Sequence, residues 1–201
     1  MNTLLHICCA PCANQCIDVL RTDGYAVTGY WYNPNIHPFT EYRSRRNCLR
    51  DYAASIELPL IERNDYGLRP FVRAVAEDID GRCIKCYSMR LYAAAHEAKE
   101  GGFDSFTSSL FISPYQNHEL LREVAERAAA EYGVTFLYRD FRPLFRAGQE
   151  RARAWHVHSE ILRLRLLRGG ALPQGEENSA INGCHGGKHF MHRQIRSRTV
   201  R

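Results

Sequence analysis

Five of the chain's eight cysteines fall into two groups whose spacing suits metal or redox chemistry. The first group, Cys8, Cys9 and Cys12, follows a short apolar run in LLHICCAPC. The second is Cys83 and Cys86 in RCIKC. A C-x-x-C turn lets two thiolates converge on one centre, and thiolate-only sites favour iron–sulfur clusters or zinc. Together the two groups can supply the four ligands of such a centre.

Other interpretations of these cysteines stay open. A structural zinc site is one, although five cysteines exceed the four ligands that zinc needs. Cys9 and Cys12 in CAPC also resemble a thioredoxin-type redox pair, which leaves the second group without a role. We expect Cys16 and Cys48 to pack on helix faces as small apolar residues. Cys184 has nearby histidines in GCHGGKHFMH and could bind metal, but a chance cluster is the simpler interpretation.

Strand-like and helix-like segments alternate along the chain and would position the cysteines. The expected strands are TLLHI, YAVTGYWY, PLIE, FDSFTSSLF and VTFLYRDF. The expected helices are NQCIDVLRTDG, a segment with Thr40 as N-cap, RPFVRAVAED, one opened by GRCIKC, and NHELLREVAERAAAEYG. This alternation predicts an α/β domain with a largely parallel sheet and flanking helices.

The first cysteine group would lie at the carboxyl end of the first strand. Ligands of open α/β sheets bind outside the carboxyl ends of the strands. A glycine-rich phosphate loop occupies this place in nucleotide-binding proteins of similar architecture. Thiols stand there instead, so we expect a thiophilic ligand.

The net charge of +5 comes entirely from the end of the chain. From Trp155 onward there are eight Lys/Arg and three Asp/Glu residues, and the remainder is neutral. Net charge therefore supports no argument for nucleic-acid binding. The same end, rich in Gly, Arg and His, shows no convincing strand. We predict a packed domain over 1–154 and a disordered or poorly packed tail over 155–201.

The sequence lacks an apolar run of membrane-spanning length and the pattern of a signal peptide. We therefore expect a cytoplasmic, unprocessed protein without a membrane partner. In a reducing compartment, so many cysteines point to metal, cluster or redox chemistry rather than to structural disulfides.

Five motifs in register resemble one known family. They are LLHICCAPC, GYWYNPNIHPFTEYRSR, RCIKCYSMRL, FTSSLFISPYQNHELL and FRPLFRAGQERAR, which run in order from Leu4 to about Ala154. The chain is thereby identified as similar to the cobalamin-independent epoxyqueuosine reductases, the QueH family. The resemblance implies a Rossmann-like domain of the adenine-nucleotide-hydrolase type. It also implies the last step of queuosine biosynthesis, the reduction of epoxyqueuosine at the tRNA wobble position.

The same resemblance implies the residues of the site. Cys8, Cys9, Cys83 and Cys86 would hold a [4Fe–4S] cluster. Cys12 would be catalytic and lie near the cluster, on an additional iron ion. The partners would be tRNA carrying epoxyqueuosine and an electron donor that the sequence does not identify.

Three asparagines in polar loops are candidates for the substrate pocket. Asn33 and Asn35 lie in YNPNIHPFTEYRSR, and Asn117 lies in SSLFISPYQNHE. Asn117 could equally cap the following helix. An unstacked base in a single-stranded RNA loop can reach such polar groups.

The chain departs from the family after about Ala154. Family members continue with a Tyr-Cys-Gly-Cys motif whose cysteines form a redox-active disulfide, and here WHVHSEILRLRLLRGG stands in its place. Codons exist for Trp155 to Gly170 that encode Tyr-Cys-Gly-Cys once the first base is dropped. We therefore hypothesise a frameshift just before Trp155, and we expect impaired reductase activity. The alternatives are a non-catalytic zinc- or cluster-binding tRNA-binding protein and a thiol–disulfide oxidoreductase.

Overall fold

The computed structural model describes residues 1–154. The predictions for the tail over 155–201, for Cys184 and for the frameshift lie outside the described residues. None of the helices over 1–154 is long and apolar enough to cross a membrane.

Five strands form one parallel sheet in the order β3-β2-β1-β4-β5. They are β1 (Asn2–His6), β2 (Ala26–Trp31), β3 (Leu60–Glu62), β4 (Ser105–Ser108) and β5 (Thr135–Phe136). The predicted α/β fold with a parallel sheet is confirmed. This strand order is that of the doubly wound Rossmann arrangement. All strands are parallel, but the order in which the chain adds them changes sides between β1 and β4. A ligand is expected outside the carboxyl ends of those two strands.

Helices cover both faces of the sheet. They are α1 (Ala10–Thr22), α2 (Phe39–Ser55), α3 (Leu68–Val75), α4 (Arg82–Glu100) and α5 (His118–Tyr132). On one face, alanines of α4 and α5 pack with Leu4, Tyr30 and Phe106 of the central strands. Leu5 points to the opposite face, because alternate residues of a strand face opposite sides. Leu5 is also fully buried, so helices cover that face too. Such double burial explains why TLLHI is a continuous apolar run.

Several boundaries differ from the sequence predictions. Strand β4 ends at Ser108 and a 3₁₀ turn follows over Ser109–Ile112, because the Ser108 hydroxyl accepts from the Leu110 N–H and caps the turn. Helix α2 begins at Phe39, since the Pro38 carbonyl already accepts the first helical bond, so Thr40 is not the N-cap. Strand β5 has only two residues.

Candidate metal centre

The connection between β1 and α1 gathers three thiols. Strand β1 ends at His6 and α1 begins at Ala10, so Cys8 and Cys9 lie in the connection and Cys12 lies in the first helical turn. The three Sγ atoms lie within 4.8 Å of one another. The Cys8 and Cys9 sulfurs are 3.9 Å apart.

This spacing suits a shared metal ion. Two sulfurs on one tetrahedral metal with bonds of 2.3 Å stand about 3.8 Å apart. The sulfurs of Cys8 and Cys9 match that separation. The group of Cys8, Cys9 and Cys12 could therefore bind a thiophilic metal.

The second cysteine group lies in the first turns of α4. Cys83 is exposed and Cys86 is half-buried, and neither belongs to the group of three thiols. Helix α4 returns the chain from β3 to the parallel strand β4, so its N-terminus lies at the carboxyl edge of the sheet. Arg90, one turn beyond Cys86, is close enough to His6 at the end of β1 to affect its pKa. Both cysteine groups therefore lie at the same edge.

The segment that follows β4 touches both groups. Ser109 is fully buried, its hydroxyl accepts from the Cys8 N–H at 3.1 Å, and it donates to Cys8 Sγ at 3.5 Å. Eight residues further on, the Asn117 N–H donates to the hydroxyl of Tyr87 at 3.2 Å. Tyr87 is the residue directly after Cys86. The residues from Ser109 to Asn117 thus connect the cysteine loop after β1 to the cysteine turn of α4.

The surroundings favour a thiolate at Cys8. Hydrogen bonds from the Cys12 thiol, from the Cys9 thiol and from the Ser109 hydroxyl hold the pKa of Cys8 well below its usual range, despite burial. Cys16 shows the opposite behaviour, because burial raises the pKa of its thiol. The Cys16 thiol donates to the Cys12 carbonyl at 3.3 Å and is fully buried, so its predicted packing role is confirmed.

A buried histidine supports the thiol loop. His6 Nε2 lies 3.1 Å from the Tyr32 carbonyl and Nδ1 lies 2.9 Å from the Ser108 hydroxyl. Because a carbonyl only accepts, Nε2 carries the proton and Nδ1 accepts from Ser108. Burial, and secondarily the charge of Arg90, lower the pKa of His6 to about 4, so the ring is neutral at physiological pH.

Sequence reasoning missed His6, Ser109 and Arg90 as site residues. Arg90 is buried, and it donates from Nε to the Cys86 carbonyl and from Nη2 to Cys86 Sγ, both at 3.0 Å. Its spacing of four residues from Cys86, on a helix opened by C-x-x-C, was the available signal. Ser109 carried a weaker signal, because it lies near the carboxyl end of the expected strand FDSFTSSLF.

The three predicted substrate asparagines lie in loops at this edge. Asn33 is buried and its amide nitrogen donates to the Ile7 carbonyl at 2.9 Å, so the loop after β2 lies against the thiol loop. The buried amide oxygen of Asn35 has no hydrogen-bond partner among residues 1–154. Asn117 is exposed and its side-chain oxygen accepts from the Leu120 N–H, which confirms the alternative interpretation as N-cap of α5.

Comparison with known proteins places these features in one family. A family model described as Epoxyqueuosine reductase QueH matches residues 3–160. A Dehalococcoides mccartyi protein of that name is 43% identical over 139 residues, 69% of this chain and 76% of the relative. A Thermotoga maritima protein of the same name is 32% identical, over 70% of this chain and 75% of the relative. For a third, from Histophilus somni, identity is 36% and the match spans 55% of the relative's length.

Proposed function

Because the chain belongs to the QueH family of epoxyqueuosine reductases, we propose that it acts on epoxyqueuosine at the wobble position of tRNA. The proposed reaction converts the epoxide to the alkene of queuosine. Two electrons and two protons enter, and the epoxide oxygen leaves as water. The electrons come from an external reductant. The observation that carries this proposal is the convergence of three thiols outside the carboxyl ends of β1 and β4.

The donor set fits an iron–sulfur centre. We propose that residues 1–154 are the catalytic domain and that Cys8, Cys9, Cys83 and Cys86 hold a [4Fe–4S] cluster. When bound, such a cluster supplies electrons one at a time, and a further iron ion supplies a Lewis acid. Each of the four cysteines would supply one thiolate to the cluster. The Cys8 and Cys9 sulfurs, which are 3.9 Å apart here, would have to move apart to do so.

Cys12 is the proposed catalytic cysteine. It is not needed among the four cluster ligands, yet its sulfur lies within 4.8 Å of both Cys8 and Cys9. Its thiol donates a hydrogen bond to Cys8. This position supports the proposal that Cys12 acts beside the cluster, as a ligand of the additional iron.

The loops around the thiols suit a single-stranded RNA substrate. Exposed aromatic side chains stand on both sides, namely Phe39 after the loop that carries Asn33 and Asn35, and Tyr115 in the loop before Asn117. Aromatic side chains stack on unpaired bases of RNA loops. We propose that these loops receive the anticodon loop and that the three asparagines bind the modified base, Asn117 through its amide nitrogen because its oxygen caps α5.

A metal site with a single ion is the second candidate, because the 3.9 Å separation of the Cys8 and Cys9 sulfurs already matches one tetrahedral metal. This site would belong to a non-catalytic tRNA-binding protein. A dithiol oxidoreductase with Cys9 and Cys12 as its redox pair is the third outcome that an experiment has to separate.

Anaerobic purification followed by metal and sulfide analysis separates the three. We expect a brown protein with about four irons and acid-labile sulfide. Loss of the cluster in Cys86→Ala, with iron retained in the matched variant Cys48→Ala, would support the proposed ligand set. Stoichiometric zinc without iron supports the second candidate. A colourless, metal-free protein with a titratable dithiol supports the third.

The substrate is tested by RNA binding rather than by turnover alone, since we expect weak turnover from this chain. An anticodon stem-loop with epoxyqueuosine should bind more tightly than the same stem-loop with guanosine at the wobble position. Equal binding of both RNAs would contradict the proposed substrate.

A further inference from the structure

We infer that Arg90 is a positioning residue of the thiol centre. Its guanidinium holds Cys86 at the carboxyl edge of the sheet and supplies the positive charge that offsets the thiolates of a bound metal. This inference rests on the proposed participation of Cys86 in the metal site.

The geometry ties Arg90 to Cys86 at two points. The two residues are four apart on α4 and therefore lie on one face of the helix. Nε of Arg90 donates to the Cys86 carbonyl and Nη2 donates to the Cys86 sulfur, each at 3.0 Å. The guanidinium carbon lies 6.0 Å from the centre of the Tyr87 ring. These contacts fix both the turn of backbone and the sulfur that it presents.

The charge of Arg90 is what calls for an explanation. Only 5% of Arg90 is exposed, and among residues 1–154 no carboxylate forms an ion pair with it. A buried cation is costly unless an anion accompanies it. A neutral thiol is only a weak hydrogen-bond acceptor. A metal-bound thiolate at Cys86 would be the anionic partner that this guanidinium otherwise does not have.

The groups around Arg90 support this role. His6 is fully buried, and a neutral ring satisfies both of its bonds by donating from Nε2 to the Tyr32 carbonyl and accepting at Nδ1 from the Ser108 hydroxyl, so it adds no competing charge. Tyr87 presents an aromatic ring, which tolerates a cation. Among these three residues, Arg90 therefore carries the only positive charge, and it faces the Cys86 sulfur.

Cobalt(II) binding tests the inference without catalysis. Anaerobic titration of the reduced, metal-free full chain with Co²⁺ gives thiolate-to-metal absorption bands, whose growth measures affinity. We expect Arg90→Met to weaken Co²⁺ binding about tenfold to hundredfold, the scale of one hydrogen bond to a charged group. Arg90→Lys should recover most of the affinity, because it keeps the charge. Arg127→Met is the matched control. Arg127 also contacts a residue four positions earlier on its helix, Glu123, but its side chain is exposed.

A second variant isolates the sulfur contact. In a Cys86→Ala background, Arg90→Met should cause no further loss of Co²⁺ affinity, because the two residues act as one unit. Where the methionine variant does not fold, Arg90→Gln replaces it with the same expectation. Unchanged affinity in the folded neutral variants would overturn the inference, and so would equal losses in Arg90→Lys and Arg90→Met. Failure of the parent chain to bind Co²⁺ would refute the metal centre itself and the inference with it.

Discussion

Acid should destabilise the folded domain through His6. The ring is fully buried, and its pKa is lowered to about 4 from an ordinary value of 6.5. Between these two values the unfolded chain binds a proton at His6 and the folded chain does not. Stability is therefore fully present above pH 6.5 and is lost as the pH falls toward 4.

The size of the effect follows from the difference in pKa. Each unit of pKa difference is worth about 1.36 kcal/mol, and the two values are about 2.5 units apart. His6 should therefore remove about 3 kcal/mol of the free energy of unfolding between pH 6.5 and pH 4. No solvent screening reduces this figure, since the ring is fully buried. That loss is a large share of the stability of an ordinary domain.

Urea unfolding at several pH values measures this loss. The protein should be metal-free, with reductant and chelator present, so that proton competition for a metal does not contribute. His6→Gln is the control variant, because its amide can donate to the Tyr32 carbonyl and accept from Ser108 without titrating. Burial also lowers the pKa of His37 and His118, and their contributions cancel when the two proteins are compared.

The difference in unfolding free energy between the parent chain and His6→Gln should shift by about 3 kcal/mol across this pH range. The shift should favour the glutamine variant at acid pH. A difference that stays constant from pH 6.5 to pH 4 would show that His6 titrates normally in the folded state. The assignment of a neutral, Nε2-protonated ring would then be wrong.

Other substitutions and the gene itself test the remaining assignments. Asn117→Ala should destabilise the domain by about 1 kcal/mol through loss of the N-cap of α5, whereas Asn117→Asp should keep the cap. Weaker RNA binding by both variants would reveal a substrate role of the amide nitrogen. Cys16→Ala should leave metal content unchanged at a stability cost of about 1 kcal/mol, whereas Cys8→Ala should abolish metal binding; lost metal in Cys16→Ala would contradict its packing role. Sequencing the gene across codons 148 to 172 should reveal Tyr-Cys-Gly-Cys in another frame, and DNA that cannot encode it refutes the frameshift. The purified 201-residue chain should convert epoxyqueuosine tRNA weakly or not at all, and robust conversion would contradict the predicted impairment.

Local patterns were sufficient to predict the type of most elements. Apolar runs such as TLLHI, bounded by turns, predict buried strands because both faces of a parallel strand are covered. The strand boundaries were less predictable, since the end of β4 depends on a hydrogen bond from the Leu110 N–H to the Ser108 side chain. A β-branched and aromatic run such as FTSSLF contains no pattern that marks this change of conformation.

In the candidate site too, residues close in sequence were predictable and residues joined by strand pairing were not. Cys8, Cys9 and Cys12 were predictable because they are close in sequence and directly follow a strand. Ser109 is 101 residues from Cys8, and the contact exists only because β4 pairs beside β1. Strand order is set by long-range packing, so residues that meet across the β1–β4 junction cannot be recognised from either segment alone.

The charge pattern at the carboxyl edge explains why thiols can occupy the place of a phosphate. A phosphate bound in this fold is stabilised by the N-terminus of the helix after β1. Here α1 begins directly after Cys9, so the positive end of its dipole faces the thiols, and such a position favours thiolate over thiol. Hydrogen bonds to Cys8 act in the same direction, and Arg90 adds a full positive charge beside Cys86. The edge therefore keeps its preference for an anion, and the chain supplies that anion itself as cysteine sulfur.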